Sequence, residues 1–221
     1  MDRREWLARI AAFGAAGASG IVSEALAKGD LPPGVAKLDG SITVNGRDAG
    51  IGTPVKLGDK LATARGSQAV IVVGSDAFLM RSQTTVEFGP SSSGVLSDML
   101  VSAGKVLSVF SKKPVAIKAA TASIGIRGTG AYIEVYTDNS VYFCLCYGEA
   151  LVEGPGMATA REVKTTHHES PLMLRDTNGI MKVEPGPFQN HSDAELVMLE
   201  SLVGREPPFM KDGKYPANKY N

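Results

Sequence analysis

The chain is a run of short β-branched and aromatic segments, each closed by glycine, asparagine or proline, and this punctuation commits it to an all-β fold. Ser41-Ile42-Thr43-Val44 ends in Asn45-Gly46, a hairpin signal because both turn residues tolerate positive φ. Gln68 to Val73 closes at Gly74, and Phe78 to Phe88, Val106 to Phe110 and Val115 to Lys118 follow. Ala131 to Tyr136 and Val141 to Tyr147 are separated by Asp138-Asn139. Glu149 to Glu153 and Glu162 to Thr166 flank Gly154-Pro155-Gly156. Such spacing fits a β-sandwich or jelly roll, or a short β-solenoid. Val95 to Val101 reads as either a helical turn or an edge strand.

The period changes near the C-terminus. Ser192-Asp193-Ala194-Glu195 is a capping box, in which Ser192 accepts from the Glu195 N–H and Glu195 reaches back. Leu196, Leu199, Leu202 and Val203 then recur at helical spacing, Gly204 stops the helix, and Pro207-Pro208 seal its end. One short amphipathic helix is expected to pack on the β domain, followed by a polar tail from Lys211.

The N-terminus reads as an address. Arg3-Arg4 precede Trp6-Leu7, an apolar stretch from Ile10 to Val22, and the small-x-small site Ala25-Leu26-Ala27. The apolar stretch is shorter than the roughly 18 residues that span a bilayer. The pattern resembles twin-arginine export signals, with Trp6 where that family usually has Phe. The expected organisation is an export signal at 1–27, a linker at 28–40, a β domain at 41–190, and a C-terminal helix and tail at 191–221. The expected location is the periplasm, with no membrane span after the signal.

Charge excludes some partners. The chain has 23 basic and 23 acidic residues, and the balance survives removal of the signal. A neutral chain offers no general attraction to nucleic acid, so none is expected as a partner. Two cysteines are too few for a disulfide framework. No Gly-x-Ser-x-Gly elbow and no Walker-type loop is present, which leaves an enzymatic reading without a nucleophile motif or a phosphate loop.

Several stretches together resemble a known family. Gly52-Thr53-Pro54-Val55-Lys56-Leu57-Gly58-Asp59-Lys60-Leu61-Ala62-Thr63 is similar to the V-x-x-G-D-x-L-x-T opening of the FecR domain. Ser67-Gln68-Ala69-Val70-Ile71 and Thr84-Thr85-Val86-Glu87 fit its next strands. Ala122-Ser123-Ile124-Gly125-Ile126-Arg127-Gly128-Thr129 resembles its A-x-x-G-v-R-G-T signature. The resemblance covers roughly Val44 to Val152. It implies a small extracytoplasmic all-β domain used in sensing, binding or surface organisation, with a protein or small ligand as partner. The sigma-binding segment and membrane helix of the family's founding iron-citrate regulator have no counterpart here, so that signalling role does not transfer. Arg127 could bind an anion, but a turn-fixing role between Gly125 and Gly128 is the simpler reading.

Chemistry concentrates between residues 144 and 191, which hold both cysteines and all three histidines. Cys144 and Cys146 lie at i and i+2 of one strand, so both sulfurs leave the same face. A disulfide needs Cβ atoms about 3.5–4.5 Å apart, closer than a regular strand brings them. Two thiolates leaning on one metal at about 2.3 Å require less distortion. A hairpin centred on Gly154-Pro155-Gly156 would put Cys144 near His168 and Cys146 near Thr166 or His167. A regular return strand presents only one of the two neighbouring histidines to the site, and a bulge could present both. His191 could approach from the loop before the helix.

The expected metal site is therefore Cys144, Cys146, His167, His168 and His191. Thiolate with imidazole suits zinc, copper or iron, and a mixed-ligand iron–sulfur centre is chemically possible. Against this stands a plain alternative in which the cysteines are small core hydrophobes and the histidines an exposed turn. Three functions remain open: a non-enzymatic binding or sensor module holding a metal, a periplasmic redox or electron-transfer component, and a cofactor-free interaction domain.

Overall fold

A computed structural model describes residues 33–210; the expected export signal at 1–27 and the expected polar tail from Lys211 lie outside these residues. The fold is all-β with one C-terminal helix. Its strands are β1 (Gly34–Asp39), β2 (Ile42–Val44), β3 (Arg47–Ala49), β4 (Lys60–Thr63), β5 (Gln68–Val73), β6 (Asp76–Met80), β7 (Thr85–Phe88), β8 (Asp98–Val109), β9 (Pro114–Ala119), β10 (Ala122–Val135), β11 (Val141–Glu153), β12 (Arg161–Thr165), β13 (Leu172–Thr177) and β14 (Ile180–Pro185). The helix α1 spans Asp193–Leu202.

The strands form one open sheet folded across a single inner core. One layer runs β1-β5-β6-β8-β10-β11-β13-β14 and the other β3-β2-β4-β7-β8-β9-β10-β11-β12. The long strands β8, β10 and β11 belong to both. Each changes partners at a glycine in the left-handed region: Gly104 (φ 81°), Gly128 (φ 64°) and Gly148 (φ 101°). Glycine adopts these angles at no steric cost. Val141–Tyr147 and Glu149–Glu153, read from sequence as two strands, are thus one strand kinked at Gly148.

Other expectations shift in detail. β1 falls inside the stretch expected to be a linker and pairs antiparallel with β5. The β13–β14 hairpin, turning at Asn178-Gly179, was not foreseen. The Val95–Val101 ambiguity resolves as the start of the central strand β8, flanked by β7 and β9. Arg127 lies exposed within β10 opposite Glu149, while the special backbone angle belongs to Gly128 and not to Gly125.

The β period explains how one layer serves two cores. Along β11, Val141, Phe143 and Leu145 face the inner core with Ile71, Phe88, Ile117 and Ile133. Tyr142, Cys144 and Cys146 face outward into a second apolar cluster. An antiparallel layer commonly leaves its outer face to water, but α1 covers this one. Leu196, Leu199 and Leu202 of α1 join Val70, Val72, Leu79, Leu107 and Tyr132 there, and all are buried. The capping box forms: Ser192 Oγ accepts from the Glu195 N–H at 3.4 Å, and Glu195 accepts from the Ser192 N–H at 2.9 Å.

Candidate metal centre

The site is built where β11, the turn after β12 and the loop before α1 meet on the outer face. Gly148 faces Thr165 and Val152 faces Arg161, which centres the hairpin beside Gly156. Beyond the ladder, the His168 N–H donates to the Cys146 carbonyl at 2.9 Å. At that point the chain leaves the strand, with His168 in the left-handed region at φ 58°. Glu169 fixes this turn by accepting from the backbone N–H of Thr166 and His167 and from the Thr166 hydroxyl. Despite some burial, these donors lower the Glu169 carboxyl to about 2. The left-handed residue swings the His168 ring over the two sulfurs, so no strand bulge is needed.

Cys144, Cys146, His168 and His191 are all buried, and one ligand atom from each lies within 4.8 Å of every other. The group is close enough to hold a metal ion. His168 Nδ1 is 3.5 Å from Cys144 Sγ and 3.2 Å from His191 Nε2. A tetrahedral ion with bonds of about 2.3 Å to sulfur and about 2.05 Å to nitrogen sets N···S edges of about 3.6 Å and N···N edges of about 3.3 Å. The contacts match those edges.

His167 does not join this group. Its ring sits half-buried on the far side of Asp193, with Nε2 at 2.9 Å from both carboxylate oxygens. Asp193 also accepts from His168 Nε2 at 3.0 Å. Sequence reasoning missed Asp193, because as the first residue of a capped helix it already had an explanation. The clue was a carboxylate two residues after a candidate histidine ligand, at the start of a helix whose apolar face must be buried.

These outer contacts decide the protons. His168 Nε2 carries its hydrogen toward Asp193, and His191 Nδ1 donates to the Gln189 carbonyl at 2.6 Å. His168 Nδ1 and His191 Nε2 are thereby turned toward one another and toward Cys144, and in the neutral form each offers a lone pair there. Ligating histidines characteristically bond their other nitrogen to a carboxylate or a carbonyl. Tyr132 stacks on the His191 ring at 4.6 Å, and Phe188 and Phe209 border His168.

The electrostatics follow this arrangement. Hydrogen bonding from the Cys146 thiol pulls the Cys144 thiol well below its usual range, with help from His168 and His191 and against burial. Burial and the neighbouring Cys144 push Cys146 up. Burial opposes a charged His168, but its bonds to Asp193 and Cys144 outweigh that and raise it. Burial likewise works against the Asp193 charge, and the two imidazoles overcome it to lower this carboxyl.

Cys144, His168 and Asp193 also stand in thiol–imidazole–carboxylate order. Both sulfurs have zero exposure, so a substrate has no approach to them. A shallow depression of about 440 Å³ lined by Gly148, Glu149, Lys164, Thr165, Thr166 and Glu169 lies nearby, and none of the four grouped residues lines it. The exposed Glu149 and Glu153 are solvent-facing strand residues.

No family model and no curated protein sequence matches the chain. Two crystal structures, each of a candidate anti-sigma factor from Parabacteroides distasonis, resemble it at 11% identity and a TM-score of 0.47. The first match covers 57% of this chain and 59% of the other, less than two thirds of that protein. The second covers 63% and 71%. Among the described residues, no helix is long and apolar enough to cross a membrane.

Proposed function

We propose that this chain is an exported, non-enzymatic FecR-like binding or sensor module whose β domain holds one metal ion at Cys144, Cys146, His168 and His191. The observation that carries the reading is the pair of 3.5 Å and 3.2 Å contacts at His168 Nδ1, which have the lengths that two edges of a tetrahedron around one ion would have. The tautomers imposed by Asp193 and the Gln189 carbonyl support it, since both imidazoles then offer lone pairs inward.

Zinc fits this donor set best. Two thiolates and two imidazoles fill all four positions, which is the pattern of a closed structural site and leaves no position for a reacting water. A two-iron cluster with histidines on one iron and cysteines on the other would separate the nitrogens from the sulfurs by the iron–iron distance. The close His168–Cys144 contact favours one ion instead. The export signal and the FecR-like stretches argue for a periplasmic setting and a protein or small-ligand partner. Folding around a bound ion before export gives a twin-arginine route a purpose.

Metal analysis of the exported protein tests this reading. The expected result is one zinc per chain, lost in Cys144→Ser and in His168→Ala. Visible absorbance that bleaches with reductant would move the centre to a redox role. Metal-free protein whose stability is unchanged in both variants would leave a cofactor-free interaction domain.

A further inference from the structure

We infer that metal loading and closure of the C-terminal segment, residues 186–204, are one coupled event, so that the ion governs whether α1 covers the outer face of the sheet. The inference rests on the proposed four-residue metal site and adds a regulatory consequence to it.

The ligands divide unequally between rigid and attached parts of the fold. Cys144 and Cys146 lie in β11 between paired neighbours, and His168 is tied to β11 through the Cys146 carbonyl. His191 and its companion Asp193 come from the chain after β14, which contains no strand among the described residues. Its backbone meets the sheet at the Gly186 N–H, which donates to the Pro171 carbonyl. Beyond that point it is held by side chains. Tyr142 donates to the Pro187 carbonyl at 2.7 Å, Arg81 to the Asn190 carbonyl at 2.9 Å, and Asn190 to Glu134 at 2.9 Å.

A ten-residue helix is too short to persist alone in water. It is ordered through the face it buries and through whatever anchors the loop ahead of it. When the ion is present, the lone pairs of His168 and His191 and both sulfurs converge on it. When it is absent, His191 is joined to the ligands on the sheet by hydrogen-bond contacts, such as the one of 3.2 Å between its Nε2 and His168 Nδ1, in place of bonds to a shared ion. A buried hydrogen bond contributes only modestly to holding the segment down, whereas the free energy of binding an ion shared by both parts adds directly to that of closure. The sheet yields less readily, because β11 pairs with β10 along most of its length and with β13 and β12 on either side of the cysteines. The segment carrying His191 can yield by lifting, which hydrates all four groups. Ion binding and closure thus favour one another, and by linkage each shifts the other by the same factor.

Hydrogen exchange on the full exported chain, with one zinc bound and after removal by a chelator, tests the coupling. Removal is expected to lower protection of the α1 amides at least tenfold while those of β10 and β11 keep theirs. A zinc competition titration of Leu199→Ala gives a second readout: this change loosens α1 without touching a ligand, and should weaken zinc binding at least fivefold. Stoichiometric zinc that leaves with α1 protection unchanged, or wild-type zinc affinity in a folded Leu199→Ala, overturns the coupling and leaves the metal site standing. A chain that binds no zinc overturns the site itself.

Discussion

Replacing Asp193 with asparagine separates the metal site from the helix cap that shares its sequence. The carboxylate has zero exposure and accepts from His168 Nε2 at 3.0 Å and from His167 Nε2 at 2.9 Å. Asparagine keeps the shape but offers one accepting oxygen and, in place of the other, an NH₂ donor. His167 is 22% exposed and can turn to water, so the one oxygen goes to His168. What is lost is charge assistance on one buried bond plus one charged bond to His167. The first is the difference between about 1.5–3 kcal/mol for a charged acceptor and about 1 kcal/mol for a neutral one. The second is at a partly exposed pair and counts for under about 1 kcal/mol. Metal-free stability should therefore fall by about 0.5–3 kcal/mol.

If the proposed ion is bound, the loss should be larger. Outer-shell partners of ligating histidines contribute about 10–100-fold in metal affinity, or about 1.4–2.7 kcal/mol. Competition with a chromophoric zinc chelator should show that loss, while circular dichroism shows α1 intact, because Ser192 and Glu195 still form the cap. Zinc affinity within twofold of wild type in Asp193→Asn would refute the assignment of Asp193 to the metal site.

Three further perturbations test the frame around the centre. Gly148→Ala puts a Cβ 2.7 Å from Thr129 Cγ2 and 3.1 Å from the Gly128 carbonyl, at φ 101°. It should cost about 1–3 kcal/mol of backbone strain and lower Tm by several degrees in calorimetry. Glu169→Gln addresses pH. The native carboxyl titrates at about 2 against an ordinary 4.5, so its contribution is fully present above 4.5 and lost as pH falls toward 2. The variant should be less stable at neutral pH and should lack that part of the acid transition in a pH–denaturant series. Tyr147→Phe removes the hydroxyl that donates to the buried Glu200 carboxyl, which burial already pushes up. Chemical denaturation should show a loss of about 1–3 kcal/mol.

How far sequence reached depended on whether a residue had one role or two. The cysteines were legible because a two-residue period and a Gly-Pro-Gly turn fix faces and register without tertiary knowledge. The helix was legible from its capping box. Asp193 was not, because its place at a helix start gave it a local role that hid the tertiary one. His168 was placed near Cys144, but its left-handed backbone was invisible: the turn is held by Glu169, whose hydrogen bonds to Thr166 and His167 appear only in three dimensions. The β13–β14 hairpin carried the same Asn-Gly signal that was read at Asn45-Gly46, and Ile180, exposed on its short edge strand, does not advertise a buried face. β1 was hidden for a related reason, since an edge strand needs few apolar residues to be held by its partner.

The Cys/His group and the Ala122–Thr129 stretch lie in different parts of the fold. The stretch Ala122–Thr129, where sequence suggested a FecR resemblance, occupies the first half of β10, paired with β9 and with the second half of β11. The Cys/His group lies beyond the bends, on the outer face of the first half of β11. The signature residues serve the kink at Gly128 and the inner core through Ala122, Ile124 and Ile126. The centre instead requires a covering segment that supplies His191 and Asp193, and it exists only because α1 returns across a face that a bare antiparallel sheet would leave to water. It is a site grafted onto the scaffold, and grafting a zinc site or removing one should change the outer face while the folded sheet beneath stays as it is.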